Sequence, residues 1–226
     1  MELTASRLAR RFLRRAGDTG VFEAVRPVNL TLRSGEMTVL TGRSGSGKTT
    51  LLTMLAGLLT PSAGTATLDG RDLYSLADAD LSRLRARHFA VVPQGASVIS
   101  SLTVMENILF PAALSHQIPP VQAAEALMER LGIRHLRNAD PVELSGGELR
   151  RMAVTRALAG QPDFIFADEP TADLDDENTA LVLTLLREAA QKGTSVFVVT
   201  HERDAAAYAD RMLHMDAGSL TAVQQI

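Results

Sequence analysis

The chain has 226 residues, with 23 lysines and arginines against 26 aspartates and glutamates, and its net charge of −3 gives no basic excess for binding nucleic acid. This length can bury one sizeable core, and the absence of cysteine excludes disulfides and thiolate metal sites. No apolar run approaches the ~18 residues of a membrane-spanning helix, so we expect any role at a membrane to come through another subunit.

Two strands over residues 2–13 and 21–32, joined by a loop at 16–20, are predicted to open the fold. In the second strand Val28, Leu30 and Leu32 alternate with polar residues, the period-two pattern of a half-buried strand. Shorter elements follow between turn residues: a strand over 37–40, a helix after Gly47, a strand over 65–68, a helix over 77–87 and a strand over 89–92.

The pattern changes to a helical period between residues 95 and 160. Apolar residues recur at helical spacing over 104–109 and 123–131, and a third helix is predicted to begin near Ser145. Strand–helix alternation then returns, with a strand over 164–167, a helix over 177–191 and a strand over 195–199. The continuous apolar runs of these strands indicate a parallel sheet covered on both faces. We therefore predict one α/β domain over 1–226, in which 1–94 and 161–226 form a core with an antiparallel β subdomain and 95–160 form an inserted α-helical subdomain.

A glycine-rich turn after the strand over 37–40 carries the clearest chemical pattern. The spacing Gly42-x4-Gly47-Lys48-Thr49 is that of a phosphate-binding loop in its strand-to-helix context. Glycines let successive backbone N–H groups point inward, and the helix start adds its positive dipole end. Lys48 is placed to reach the outer phosphates of a nucleoside triphosphate, and the Thr49 hydroxyl to ligate Mg²⁺. The predicted nucleotide-binding residues of this turn are Gly42, Arg43, Ser44, Gly45, Ser46, Gly47, Lys48, Thr49 and Thr50.

Two carboxylates, Asp168 and Glu169, follow the buried strand over 164–167. Ligands of open α/β sheets bind at this carboxyl edge. Asp168 is therefore predicted to hold Mg²⁺, and Glu169 to orient and activate a water molecule as general base. The alternative is a solvated acidic pair at a strand end, which the phosphate-binding loop disfavours.

The segment Ser145-Gly146-Gly147-Glu148 has two compatible interpretations. Ser145 and Glu148 fit a capping box, in which each side chain bonds to the backbone N–H of the other residue. Capping does not need two consecutive glycines, which weaken the first helical turn by roughly 1 kcal/mol each. The pair is explained if an anion approaches this helix start closely.

In this order and spacing, the phosphate-binding loop, the 145–148 segment and the Asp168–Glu169 pair resemble an ABC transporter ATP-binding subunit over essentially the whole chain. The resemblance implies a P-loop NTPase core of the RecA-like type and roles for four further positions. Gln94 matches the glutamine that contacts Mg²⁺ and water, and Asp175 lies in the loop that crosses to the opposing subunit (the D-loop). His201 matches the switch histidine at the γ-phosphate, and Phe12 falls where an aromatic ring stacks on adenine.

The resemblance also implies how such a chain works. Two copies would form a head-to-tail homodimer around two Mg·ATP, with the phosphate-binding loop of one copy facing Ser145, Gly146, Gly147 and Glu148 of the other. Glu169, His201 and Lys48 would act in hydrolysis. The dimer would drive a separate integral membrane permease from the cytoplasmic face of the inner membrane, as a peripheral subunit and without nucleic acid.

Two finer questions about the function concern the branch of the family and the alternative to transport. Residues 81–85 and 102–107 resemble the branch of the family concerned with lipoprotein release, macrolide export and cell division. The alternative to transport is an ABC ATPase that signals its ATP state through a membrane partner to a cell-envelope enzyme. Chromosome-maintenance cassettes, with their long coiled coils or zinc modules, are disfavoured because the chain has no heptad run and no cysteine.

Three residues depart from the family pattern. Phe12 replaces the commoner tyrosine, and Pro93 precedes Gln94 where an aromatic residue is usual. Asp173 adds a negative charge to the D-loop. None of the three removes a catalytic group, so hydrolysis is expected to survive.

Overall fold

The computed structural model describes residues 1–13, 20–95, 97–114, 121–202 and 204–225, without the side chains of 222–225. Apart from Gly20, the predicted loop at 16–20 lies outside these residues. The strands are β1 (Glu2–Leu13), β2 (Val21–Arg33), β3 (Met37–Thr41), β4 (Ala63–Leu68), β5 (Arg71–Asp72), β6 (Phe89–Val92), β7 (Phe164–Asp168), β8 (Ser195–Thr200), β9 (Arg211–Asp216) and β10 (Ser219–Gln225). The helices are α1 (Lys48–Leu55), α2 (Asp78–His88), α3 (Val104–Leu114), α4 (Val121–Arg130), α5 (Gly146–Ala159) and α6 (Asp176–Gln191).

The strands form two sheets. An antiparallel sheet has the order β2-β1-β4-β5, and a larger sheet has the order β10-β9-β3-β8-β7-β6. In the larger sheet β9, β3, β8, β7 and β6 are parallel, and β10 pairs antiparallel to β9. The predicted parallel core and N-terminal antiparallel sheet are confirmed.

The larger sheet is apolar on both faces, which explains the continuous apolar runs of its strands. In β7, Phe164 and Phe166 pack with α1 and the antiparallel sheet, and Phe89 meets both of their rings edge-on. Ile165 and Ala167 point to the opposite face and pack in the cluster that includes residues of α3, α5 and α6. In a strand that is buried on both faces, apolar and polar residues do not alternate.

The helices of the 95–160 segment pack on one another and on the sheet. α5 contacts α3 and α4, and it also contacts β6 and α6. Within the described part of this segment there is no strand, as predicted. The division of the chain into a core and a helical subdomain stays a prediction, because one apolar cluster joins these helices to the sheet.

Two further features of the fold are the β9–β10 hairpin and the length and character of the helices. The β9–β10 hairpin, which the sequence analysis did not predict, places β9 beside β3, directly under the phosphate-binding loop. Among the described residues, no helix combines the length and apolar character needed to cross a bilayer.

Candidate functional site

The phosphate-binding loop needs glycine at two positions because other backbone segments pass close to it. Gly47 has φ 105°, and a Cβ there would lie 2.1 Å from the carbonyl oxygen of Ala24 in β2. A Cβ on Gly42 would lie 2.2 Å from the carbonyl oxygen of Met215 in β9. The loop is therefore held between the two sheets, and its backbone is fixed before any ligand arrives.

Gly47→Ala is expected to lower the free energy of unfolding by ~3 kcal/mol or more, because strain at positive φ adds to a backbone collision. Gly45→Ala is the matched control, since Gly45 also has positive φ, 76°, but a Cβ there has open space within 4 Å of the described atoms. That change should cost only the strain term, about 1–2 kcal/mol. Urea denaturation of both variants measures the difference, and equal costs would contradict the close approach of Ala24.

Lys48 is bound to the loop that precedes it. Its side chain is buried, and its Nζ donates to the carbonyl oxygens of Gly42 at 2.8 Å and Arg43 at 3.1 Å. These two bonds hold the ammonium group at the mouth of the loop. A positive charge fixed there suits the outer phosphates of a nucleotide.

Asp168 ends β7 next to the loop and is buried. Burial raises the pKa of the Asp168 carboxyl above its ordinary value, a hydrogen bond with Thr49 acts in the opposite direction, and the charge of Glu169 adds to the rise. Its Oδ1 atom is buried and makes no hydrogen bond with any described residue. A cation beside Thr49 would satisfy that atom.

These groups fit Mg²⁺ bound together with phosphates. No cluster of three or more His, Cys, Asp or Glu that could hold a metal occurs among the described residues. Mg²⁺ commonly takes one or two protein oxygens and completes its shell with phosphate oxygens and water, so Thr49 and Asp168 are a sufficient protein contribution.

Glu169 and His201 form a pair across the ends of β7 and β8. The His201 Nδ1 lies 2.9 Å from Glu169 Oε1, and the His201 backbone N–H donates to Oε2 at 3.4 Å. Glu169 is buried and has φ 49°, a left-handed conformation that is unusual for a residue other than glycine. Its carboxylate is thus held at the edge of the cleft, with the exposed His201 ring on its outer side.

The hydrogen bond to Glu169 raises the pKa of His201 above its ordinary value of 6.5. The interaction of protonated His201 with Glu169 therefore contributes its full stabilisation of the fold below pH ~6.5. This contribution is lost as the pH rises through the higher pKa that His201 has in the folded state. We expect the His201 resonance to titrate above ~6.5 in the wild type and closer to that value in Glu169→Gln. NMR titration with assignment through His201→Gln checks this, and a wild-type midpoint below 6.5 would contradict the pairing.

These residues line one cleft of about 610 Å³. From the predicted set it contains Phe12, Ser44, Gly45, Gly47, Lys48, Thr49, Thr50, Gln94, Asp168, Glu169 and His201. Gly42, Arg43 and Ser46 belong to the same loop without lining the cleft. Within the cleft lining, Phe12 pairs with Phe22 across β1 and β2, and the guanidinium of Arg10 lies 4.7 Å from the centre of the Phe12 ring. A cleft lined by flat aromatic surface together with cationic and acidic groups suits a nucleotide.

The 145–148 segment lies outside this cleft. Ser145 is the N-cap of α5, and its Oγ accepts from the backbone N–H of Glu148 at 3.3 Å. The Glu148 carboxylate accepts from the backbone N–H of Ser145 at 2.8 Å, so the predicted capping box is confirmed. Ser145 and Gly146 are exposed.

Asp175 also lies outside the cleft. It is exposed and caps α6 by accepting from the backbone N–H of Asn178 at 2.8 Å. The contacts predicted for Asp175 and for the 145–148 segment with a nucleotide stay predictions, which need a second copy of the chain.

Comparison with known proteins identifies the family. A profile of the ABC transporter family matches residues 25–172. The chain belongs to the ABC transporter family. It is an ATP-binding cassette, an ATPase that uses ATP and Mg²⁺, and the predicted fold class and enzyme class are confirmed.

Relatives of this cassette include the lipoprotein-releasing system ATP-binding protein LolD of Shewanella frigidimarina, 40% identical over 199 residues that cover 87% of this chain and 83% of LolD. The macrolide export ATP-binding/permease protein MacB of Haemophilus ducreyi is 37% identical over 206 residues, or 90% of this chain. The match covers 30% of MacB, so the chain corresponds to about a third of that protein. The predicted branch is confirmed by these relatives.

Two solved structures share the fold of this cassette. Both are dimeric structures of MJ0796, a bacterial ABC transporter cassette, and one is a post-hydrolysis state bound to ADP and Pi. Each has a TM-score of 0.90 and 26% sequence identity, and covers 99% of this chain and 100% of MJ0796.

The structure adds cassette residues that sequence patterns missed. Phe22, Ala24 and Ala172 line the cleft. The register of β1 on β2 brings Phe22 opposite Phe12, and the shared aromatic character of these two cross-strand positions is a signal that the sequence does contain. Arg150 was also missed, because a charged residue in an amphipathic helix pattern is usually exposed.

Proposed function

We propose that this cassette is the ATP-hydrolysing subunit of an exporter or lipoprotein-release system, working as a pair of copies that drives a separate membrane permease. The observation that carries the proposal is the separation of two half-sites on one chain. Phosphate-binding and carboxylate groups line the cleft, whereas the capped helix start at Ser145 is exposed elsewhere. Two half-sites that lie apart in one copy can meet between two copies.

Each group in the cleft has a position that suits one part of the nucleotide. Phe12 would stack on the base, while the loop from Gly42 to Thr50 and Lys48 would bind the phosphates. Thr49, Asp168 and Gln94 would hold Mg²⁺, which neutralises charge on the phosphates. Glu169 would accept the proton of the attacking water, and His201 would hold Glu169 and contact the γ-phosphate.

The second copy would close the site. Ser145, Gly146, Gly147 and Glu148 of one copy would present a helix start and a hydroxyl to the phosphates bound by the other. Asp175 would lie at the contact between the copies. ATP favours the closed pair because it contacts both copies, and hydrolysis removes part of that contact, so the pair reopens. MJ0796, which shares the fold, forms dimers in its solved structures.

The membrane partner is proposed from the relatives. LolD is named as the ATP-binding protein of a lipoprotein-releasing system, and MacB as an export ATP-binding/permease protein. We place this cassette at the cytoplasmic face of the inner membrane as a peripheral subunit, with the permease on a separate chain.

Affinity isolation of the Glu169→Gln form from detergent-solubilised membranes tests the proposal. An integral membrane protein should co-purify in stoichiometric amount. Lys48→Ala, prepared in the same way, reports how much of that association depends on bound ATP. A partner with exporter or lipoprotein-release architecture is expected, whereas recovery of the cassette without any membrane protein would contradict the proposal.

A further inference from the structure

Arg150 is a buried arginine in α5, with a relative exposure of 9%. Burying a cation costs several kcal/mol unless the charge is paired and its donors are satisfied. Both terminal nitrogens of Arg150 donate to successive backbone carbonyls, Nη1 to Pro93 at 2.7 Å and Nη2 to Gln94 at 2.5 Å. The planar guanidinium thus makes a fork of two hydrogen bonds to successive carbonyl groups, at the point where the chain leaves β6 and enters the Gln94 loop.

Three carboxylates favour the charge of Arg150. Burial lowers the pKa of Arg150 from its ordinary value, and the negative charges of Asp173, Asp168 and Glu169 act in the opposite direction. Asp173 is the strongest of the three. This is the residue that adds a charge to the D-loop, and it makes no ion pair within 4.0 Å among the described residues.

The first turn of α5 also touches the D-loop directly. A Cβ on Gly147 would lie 3.3 Å from Leu174 Cδ2 and 3.4 Å from the carbonyl oxygen of Asp173. Asp173 has φ 65°, so its backbone is held in a left-handed conformation at this contact. One helix therefore meets the Gln94 loop through Arg150 and the D-loop through Gly147.

We propose that Arg150 is a positioning residue for hydrolysis, which fixes Gln94 in the cleft through its backbone carbonyl. This inference rests on the proposed ATPase cycle. It also means that a movement of α5 carries the backbone of Gln94 with it.

Arg150→Gln removes the charge and the fork while keeping a polar side chain of moderate length. We expect kcat for ATP hydrolysis to fall about 10- to 100-fold with KM for ATP changed less than about threefold, because a misplaced Gln94 disturbs the reacting geometry more than ATP binding. Arg150→Lys keeps the charge but not the fork, and should recover part of kcat.

Arg156→Gln is the matched control. Arg156 lies on the same helix, is half-buried, and donates through Nη1 to the carbonyl oxygen of Ser97 at 2.5 Å, farther along the same loop. Its loss should likewise free a backbone carbonyl of the loop but leave kcat within about twofold of wild type. If Arg156→Gln loses as much kcat as Arg150→Gln, or Arg150→Gln keeps wild-type kcat, the proposal is overturned.

One further measurement separates this inference from the proposed function. Amide hydrogen exchange needs no hydrolysis: Arg150→Gln should speed exchange in the peptide that contains 93–95, and Arg156→Gln should not. Equal exchange in both variants would overturn the positioning role even if the chain proved to be an active ATPase.

Discussion

Glu169→Gln is expected to bind ATP, to hydrolyse it about 10²- to 10⁴-fold more slowly, and to accumulate as a dimer in the presence of Mg·ATP. Glutamine fills the same space at the end of β7 and can still bond to His201, but it cannot accept the proton of the attacking water. The closed pair then has no route to products and persists. Phosphate release measures the first effect, and gel filtration with light scattering the second.

Glu202→Gln is the matched control for this prediction. Glu202 is also a carboxylate just after β8, and it accepts from Thr171 Oγ1 at 2.5 Å, but it does not line the cleft. Its change should leave the rate of hydrolysis within about threefold of wild type. A Glu169→Gln protein that hydrolyses ATP at the rate of Glu202→Gln, or that stays monomeric with Mg·ATP, contradicts the assigned role of Glu169.

Lys48→Ala should raise the Kd for ATP about 10- to 100-fold, the range expected when a hydrogen-bonded, charged contact to phosphate is lost. Lys48 is buried and fixed by the carbonyl oxygens of Gly42 and Arg43, so the wild-type ammonium needs little reorganisation on binding. Equilibrium binding of a fluorescent ATP analogue gives the two dissociation constants.

The chain offers its own control, because its two lysines are Lys48 and Lys192. Lys192 is exposed at the end of α6, away from the cleft, and Lys192→Ala should bind ATP as the wild type does. Amine acylation followed by mass spectrometry gives an independent readout, in which ATP protects Lys48 and leaves Lys192 reactive. Equal affinity of Lys48→Ala and wild type for ATP would contradict the assignment of this glycine-rich loop to phosphate binding.

The parallel core could be predicted because its signals are local. β3, β7 and β8 are continuous apolar runs, and the loop after β3 carries its glycines at a fixed spacing. The β9–β10 hairpin could not be predicted because its polar residues form hydrogen bonds with residues that are distant in the sequence. Arg211, for example, donates to the Thr31 carbonyl oxygen at 2.7 Å, about 180 residues away. The sequence of this half-buried strand therefore has the polar pattern of an exposed segment.

The same distinction applies to the cleft. Lys48, Asp168 and His201 follow strands whose parallel order brings their ends to one edge, so their proximity could be inferred. Phe22 depends on the register of β1 on β2, which shifts at several irregular pairs, and the sequence does not specify those shifts. Arg150 could not be recognised because its partners are backbone carbonyls, which every residue carries.

Cross-linking between two single-cysteine chains tests most directly whether ATP is held between two copies. The chain has no cysteine, so Ser44→Cys in one preparation and Ser145→Cys in another, both with Glu169→Gln, give unambiguous products. If ATP is held between two copies, the mixture gives a covalent pair with Mg·ATP and none when ATP is omitted. A cross-link inside one dilute chain that carries both cysteines, with none between chains, would show that Ser145 lies at the phosphate-binding loop of its own chain and that ATP is not held between two copies.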